Sequence, residues 1–544
     1  MRATNMKKAI SKTQHLLAPI VVLALLLAAT AAFAAAPGVK GTTFAITASP
    51  AYISQPDGQM VYSWGYACSS GGTAAPTNIS APNACNNTMQ IPGPTLIVTE
   101  GQPVTVTLTN SLPVAAGNTS ILFPGFTVTA TGGVAGLLTQ EAAPGGTVTY
   151  TFTPTSPGTR SYYSGTQSDL QVEMGMYGAV IVLPSNATVL AGCTAAQANN
   201  VVAQGFWGEN DFRLAHAAYD HARSCYDREY LFQFSEMDPN VHLQAEAQVK
   251  AKTGCVATDP ACRLAVPTEP YHPAYFMING RSMPDDMDPN YAVQYPHQPY
   301  NGDPHMHPGE EVLLRIIGQG RWQHPFHEHG NHVRILGRDG NLIVSQTDPN
   351  SLAGPALFTT TTTPGLAMDG IFYYTGRGLN WDMYGHNNAS QDPSAKLPCT
   401  PDANGYNTGA PTAINYYEWC ADHDKPMQVA PFGDVAAGGP VTLPDANLFT
   451  NGAWYGGSPY LGPNATLRAT GCSSDPRANP ATCGNTGSTP PSGTIANSPS
   501  GEAGFAFMWH SHNEREITTN NIFPGGMMMM MLVDSREYPI DESN

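Results

Sequence analysis

Between Val104 and Thr109 the chain reads Val-Thr-Val-Thr-Leu-Thr, an alternation of apolar and hydroxyl side chains. A period of two is what a strand with one buried face produces, because successive side chains leave a strand on opposite sides. The strand is led in by Ile91-Pro92-Gly93-Pro94-Thr95 and by the apolar run Leu96-Ile97-Val98. Alternating or short apolar segments at 148–152, 179–183, 230–234, 275–278, 311–317, 333–336, 371–375 and 527–533 predict further strands. Helical periodicity is scarce and predicts one short helix over 242–252.

The punctuation between these segments points the same way. With 54 Gly, 47 Pro and 12% charged residues, the composition is that of a large all-β protein joined by many turns. Ser161-Tyr162-Tyr163-Ser164-Gly165, followed by Met174 to Val180, echoes Trp509-His510-Ser511-His512, followed by Pro524 to Met528, so one strand-loop-strand unit recurs. The stretch 463–502, rich in Gly, Pro, Ser, Thr and Asn, reads as a long surface insertion.

Arg2, Lys7, Lys8 and Lys12 precede an apolar run from Leu16 to Leu27 and then Ala32-Phe33-Ala34, the plan of a secretory signal peptide over 1–34. The expectation is a soluble, exported protein, periplasmic or extracellular, with no membrane insertion. The ten cysteines form five near neighbours, Cys68 with Cys85, Cys193 with Cys225, Cys255 with Cys262, Cys399 with Cys420 and Cys472 with Cys483, which we read as local disulfides. Removing the four leader cations moves the formal charge from -17 to -21, a balance that argues against nucleic-acid binding.

Chemistry is concentrated in His324-Pro325-Phe326-His327-Glu328-His329-Gly330 and in His510-Ser511-His512. On a strand His327 and His329 share one face, as do His510 and His512, and neutral imidazole is a preferred donor for copper and zinc. Any single histidine is more often a hydrogen-bonded structural residue, but two H-x-H units in one chain point to metal. We take His324, His327, His329, His510 and His512 as the candidate metal ligands, with copper as the cofactor and zinc not excluded.

Ile91-Pro92-Gly93-Pro94-Thr95, Phe276-Met277-Ile278-Asn279-Gly280, Gly309-Glu310-Glu311-Val312 and His324 to Gly330 together resemble the multicopper oxidases over most of the mature chain. The resemblance implies two or three cupredoxin-like Greek-key β-sandwich or barrel domains, and oxidation of a reductant at a type 1 copper coupled to dioxygen reduction at a three-copper cluster. It places domains at 42–186, 198–392 and 400–536. It also implies ligands that this chain lacks: Leu122 and Pro124 stand where the first H-x-H-G unit belongs, and Tyr163-Ser164-Gly165 where the second belongs. The fourth unit, His-Cys-His in the family, is His510-Ser511-His512, and Glu516 occupies a type 1 histidine position, so no blue copper centre is expected even with Met527 as a weak axial donor. In another mapping His327-Glu328-His329-Gly330 is itself a relocated H-x-H-G unit, with a homo-oligomer partner left open as a source of further ligands.

Other features have plainer readings. Glu328 and Glu514 suit orienting roles, although glutamates facing water are the simpler account, and His332 reads as a surface residue. The run Met527 to Met531 suits core packing. His305-Met306-His307 is a candidate for accessory copper binding, and His216 with His221 reads as surface. The sequence thus favours a copper-dependent oxidoreductase acting on small reductants or metal ions, with dioxygen as acceptor. The competing class is a non-catalytic copper-binding or structural protein.

Overall fold

Strand Arg228–Met237 is buried along its whole length, and its sequence explains why. Tyr230, Phe232 and Phe234 enter one apolar core, while Leu231 packs on the other side with Ile97, Ala179, Ile181 and Leu183. A strand covered on both faces loses the polar side that a half-exposed strand keeps. This strand marks the seam between two β-sandwiches in a computed structural model that describes residues 36–77, 85–196, 210–377, 399–411, 413, 415–421, 457–460, 504–534 and 540.

The first sandwich packs the sheet ordered Gly158–Tyr163, Tyr177–Leu183, Leu96–Thr99, Gly38–Lys40, Thr73–Ala75 against the sheet ordered Met60–Ser70, Thr43–Ser54, Val104–Asn110, Thr147–Phe152, Thr129–Gly132. Alternation in Val104–Asn110 sends Val104, Val106 and Leu108 into the core with Trp64, Tyr66 and Tyr150. In the second sandwich the sheet around Arg228–Met237 and Glu311–Gly318 faces a sheet ordered His305–Met306, Met528–Asp534, Gly504–Ser511, His324–Glu328, Thr359–Thr362. Both sheets feed one core, which includes Phe326, Trp509, Met527, Met529 and Met531. Alternate members of the methionine run, Met527, Met529 and Met531, are therefore core packing.

The chain is all-β with cupredoxin-like sandwiches, and the described residues build two of them. The boundary expected between 198–392 and 400–536 does not separate two sandwiches, because Gly504–Ser511 pairs with His324–Glu328 and Met528–Asp534 pairs with His305–Met306. The helix appears as Pro239–Ala251, started by Asp238, whose side chain accepts from Asn240 N. Four expected disulfides are present, Cys68–Cys85, Cys193–Cys225, Cys255–Cys262 and Cys399–Cys420. Cys472 with Cys483, the signal segment and the insertion 463–502 lie outside the described residues. No helix among the described residues is long and apolar enough to cross a membrane.

Candidate metal centre

Strand parity decides which histidines meet. In His324–Glu328 the buried side chains are His324, Phe326 and Glu328, so His327 leaves the opposite face and His329 follows it. The neighbouring strand aligns antiparallel with His327 opposite His510, Phe326 opposite Ser511 and Glu328 opposite Trp509. Directly opposed residues project to the same side. His327 and His510 therefore share the face turned away from the core, and His512 continues it, with its backbone N–H donating to Pro325 O at 2.8 Å.

The four rings cluster. Centroid separations are 4.7 Å for His327 and His329, 4.9 Å for His327 and His512, 5.2 Å for His329 and His510, 5.5 Å for His510 and His512, and 5.6 Å for His327 and His510. His510 is buried, His327 and His329 are half-buried, and His512 is exposed, so the cluster opens to solvent on one side. His327 Nδ1 is hydrogen-bonded to Thr359 Oγ1 at 2.8 Å, and His510 Nδ1 to the Ser511 carbonyl at 2.7 Å. A carbonyl can only accept, so Nδ1 of His510 carries the proton and its Nε2 presents a lone pair to the cluster. His510 Nε2 and His329 Nε2 stand 3.3 Å apart. Two nitrogens about 2.0–2.1 Å from one tetrahedral ion have about that separation.

Burial first, then the neighbouring charges of His329, His510 and His512, push His327 down to about 4. Burial likewise pushes His510 down to about 4, helped by His329 and His512 against the opposing Ser511 carbonyl. Rings held neutral at ordinary pH are the form that binds metal. No three His, Cys, Asp or Glu side chains among the described residues are arranged as they stand to hold a metal ion. One nitrogen pair is at ligating separation, and the other two rings are within reach of it. The donor set, neutral imidazoles with two Nδ1 positions tied back, fits copper or zinc.

His324 belongs elsewhere. A three-residue step puts it on the opposite face from His327, where its Nε2 meets Glu236 and its Nδ1 meets Glu516, each at 2.9 Å. Burial alone would push this ring down, but the hydrogen bonds and charges of the two glutamates hold it up at about 9. Ser511 Oγ donates to the same Glu516 oxygen at 2.5 Å. His324, Glu236, Glu516 and Ser511 thus form one buried hydrogen-bonded set, and His324 is not a ligand of the four-histidine cluster.

The remaining candidates fall into place. Glu328 is buried, not facing water: it accepts from Thr360 Oγ1 at 2.7 Å, and burial pushes its carboxyl up to about 8. Glu514 and His332 are exposed. His305 is sealed between Asp534 at 2.5 Å and Asp303 at 3.5 Å, and His307 Nδ1 is hydrogen-bonded to Asp534 O at 2.9 Å, so this pair anchors the last strand. His221, half-buried, is held by Pro349 O, and His216 is half-buried as well. In the first sandwich Leu122 bridges to Tyr163, and a Cβ at Gly165 would lie 2.7 Å from Leu122 Cγ, so an aliphatic side chain packs against the Tyr163-Ser164-Gly165 segment. Sequence reasoning missed Thr359, Glu236 and Phe358, the last lying 5.6 Å ring to ring from His327. Their positions depend on strand register and sheet packing.

Residues 73–187, within the first sandwich, match the family model described as multicopper oxidase. The chain resembles that family. Among solved structures it is similar to the multicopper oxidase mgLAC, at 15% identity over 92% of this chain and 88% of that one with a TM-score of 0.42. It is similar also to the blue copper oxidase of Nitrosomonas europaea, at 14% identity over 90% and 85% with a TM-score of 0.42. The copper nitrite reductase of the same organism aligns at 18% identity over 62% of this chain and 85% of that one, with a TM-score of 0.35. No curated protein sequence matches.

Proposed function

We propose that His327, His329, His510 and His512 hold copper and that the protein is an exported copper-dependent oxidoreductase, passing electrons from small reductants or metal ions to dioxygen. The observation that carries this reading is the convergence of His329 Nε2 and His510 Nε2 at 3.3 Å, with the backs of His327 and His510 tied by Thr359 and the Ser511 carbonyl. Copper held there by His329 and His510, with His327 and His512 within reach, would supply one-electron redox chemistry. The chain supplies orientation: Thr359 and the Ser511 carbonyl fix two rings, and exposed His512 marks the side open to solvent. Phe358, 53% exposed beside His327, offers an apolar ring to a small organic reductant. His324 and Ser511 are both bonded to Glu516, so those three positions offer no thiolate relay, and a reductant would be bound beside the histidine cluster itself.

A second reading, copper sequestration without turnover, is favoured by the first sandwich, where Leu122 and Gly165 stand in the segments at which the resemblance expects further histidine ligands. One experiment separates the two. The purified protein is loaded with Cu(II) or Zn(II), its metal content and electron paramagnetic resonance spectrum are recorded, and oxygen uptake with a phenolic or ferrous reductant is followed. The expected result is nitrogen-coordinated Cu(II) without an intense blue thiolate band, with oxygen uptake above that of free copper, both lost in His329→Ala/His510→Ala. Copper binding without oxygen uptake supports sequestration. Unchanged copper binding in the double variant overturns the site.

A further inference from the structure

Outside the four-histidine cluster, the loop after strand Tyr275–Ile278 buries carboxylate and amide oxygens that accept no hydrogen bond among the described residues. Asp286 is fully buried, yet neither carboxylate oxygen has a hydrogen-bond partner among the described residues. Asn301, 2% exposed, has both ends of its amide unpartnered, and so does Asp303 Oδ1. Each such group costs about 1–3 kcal/mol if left without a partner, so four oxygens orphaned together call for one.

Asp286 lies against the segment that carries Asn301 and Asp303. Asp286 O accepts from Gly302 N at 2.7 Å, and Asp286 Oδ2 lies 3.8 Å from where a Cβ on Gly302 would sit. The carboxylate thus faces the Asn301-Gly302-Asp303 backbone. That backbone is fixed, Asn301 N donating to Asn290 Oδ1 at 3.0 Å and Asn301 O accepting from Asn279 Nδ2 at 2.6 Å. Arg281 is the nearest protein cation: it gives Nε to Gln298 O and Nη1 to Asp285 O, Asp288 O and Pro289 O, and although its charge reaches Asp286 and its Nη2 has no partner among the described residues, no hydrogen bond joins it to Asp286. His305 gives Nδ1 to Asp534 and leaves Nε2 3.5 Å from Asp303 Oδ1, an ion pair that covers one side of that carboxylate and leaves Asp286 untouched.

We propose that Asp286, Asn301 and Asp303 form a second metal site, one for a hard divalent cation, and that the cation is Ca2+. The orphaned acceptors are all oxygen, which disfavours copper and zinc. Ca2+ tolerates irregular carboxylate and amide sets, whereas Mg2+ demands a near-octahedral shell and gives up its waters reluctantly. The site is structural, pinning the 285–303 loop to the second core through Gly302, which packs near Met529 and Ile278. It is independent of the histidine cluster, and its failure would leave the copper reading untouched.

The test is thermal unfolding of the full-length protein after dialysis against a chelator, with Ca2+ then added back, Mg2+ as the control and bound metal measured by mass spectrometry. We expect about one Ca2+ per chain and a folding equilibrium that gains about tenfold for each decade of free Ca2+ above the dissociation constant. Mg2+ should give little. In Asp286→Asn the Ca2+ response should vanish, while Asp348→Asn, in an exposed loop, keeps it. A wild-type melting curve indifferent to Ca2+ would overturn the site, since buried water then satisfies these oxygens. So would an undiminished response in Asp286→Asn. If that variant fails to fold, Tb3+ luminescence on the wild-type protein, displaced by Ca2+ and not by Mg2+, stands in for it, and absence of displaceable Tb3+ overturns the proposal.

Discussion

At the scale of single residues, two histidines three positions apart do opposite things. His327 is pushed down to about 4 among like groups, and His324 is held up at about 9 between Glu236 and Glu516. The sign follows from comparison with an unfolded value near 6.5. For His324 the folded value is the higher, so its stabilisation is complete below about 6.5 and is lost as pH rises through 9. We predict that His324→Gln costs about 3 kcal/mol at pH 6, because two buried glutamates lose the cation between them. The deficit relative to wild type should shrink steadily toward pH 9, as read by urea unfolding at a series of pH values. A deficit flat with pH would show that the ring is held neutral. Thr359 tests the other histidine: Thr359→Ala releases His327 Nδ1 and should weaken copper binding about 10- to 100-fold in competitive titration, the usual effect of losing a group that orients a ligand, while unfolding shifts little.

At the scale of the strand, alternation is the governing rule, and the last strand offers its cleanest test. Met529 is fully buried in the core and Met530 half-buried on the other side of Met528–Asp534. Met529→Ala should cost about 2–5 kcal/mol and Met530→Ala under about 1 kcal/mol in chemical denaturation. Equal costs would mean that the strand is not seated as described. The same rule shows what the sequence could disclose. Val104–Asn110, the double H-x-H pattern and the methionine strand are legible because period two needs only neighbouring residues. Parity was also available to exclude His324 from the metal set, since an odd step changes face, and to bury Glu328 between two outward histidines. Thr359 opposite His327 was not available, because register between strands is set by packing across the sheet and not by local pattern. Nor was the single second sandwich: Gly504–Ser511 lies beside His324–Glu328 only after a long excursion of chain, which in sequence looks like a domain boundary.

At the scale of the whole molecule, the two sandwiches are joined by more than apolar contact. Arg315, fully buried, holds Glu229 at 2.7 Å and Asp369 at 3.5 Å, all from the second sandwich. Asp369 in turn accepts from Thr159 N at 2.9 Å and Thr159 Oγ1 at 2.5 Å across the seam, and from Tyr219 Oη at 2.6 Å. One carboxylate therefore neutralises a cation inside one sandwich while capping an edge of the other. Removing one member of such a buried set costs more than the set's net contribution, because the partners stay buried without compensation. Asp369→Ala should destabilise the protein by about 3–5 kcal/mol, and the loss should fall on the seam, where Thr159 N and Oγ1 lose their acceptor. Calorimetry of the wild type should give one endotherm, since the seam couples the two cores, and the variant should resolve two as that coupling weakens. A single endotherm merely shifted to lower temperature would mean that the contacts of Leu231, Ile317 and Ala367 with Ile97, Ala179 and Ile181 suffice to couple the sandwiches, and that the buried ion pairs serve the second sandwich alone.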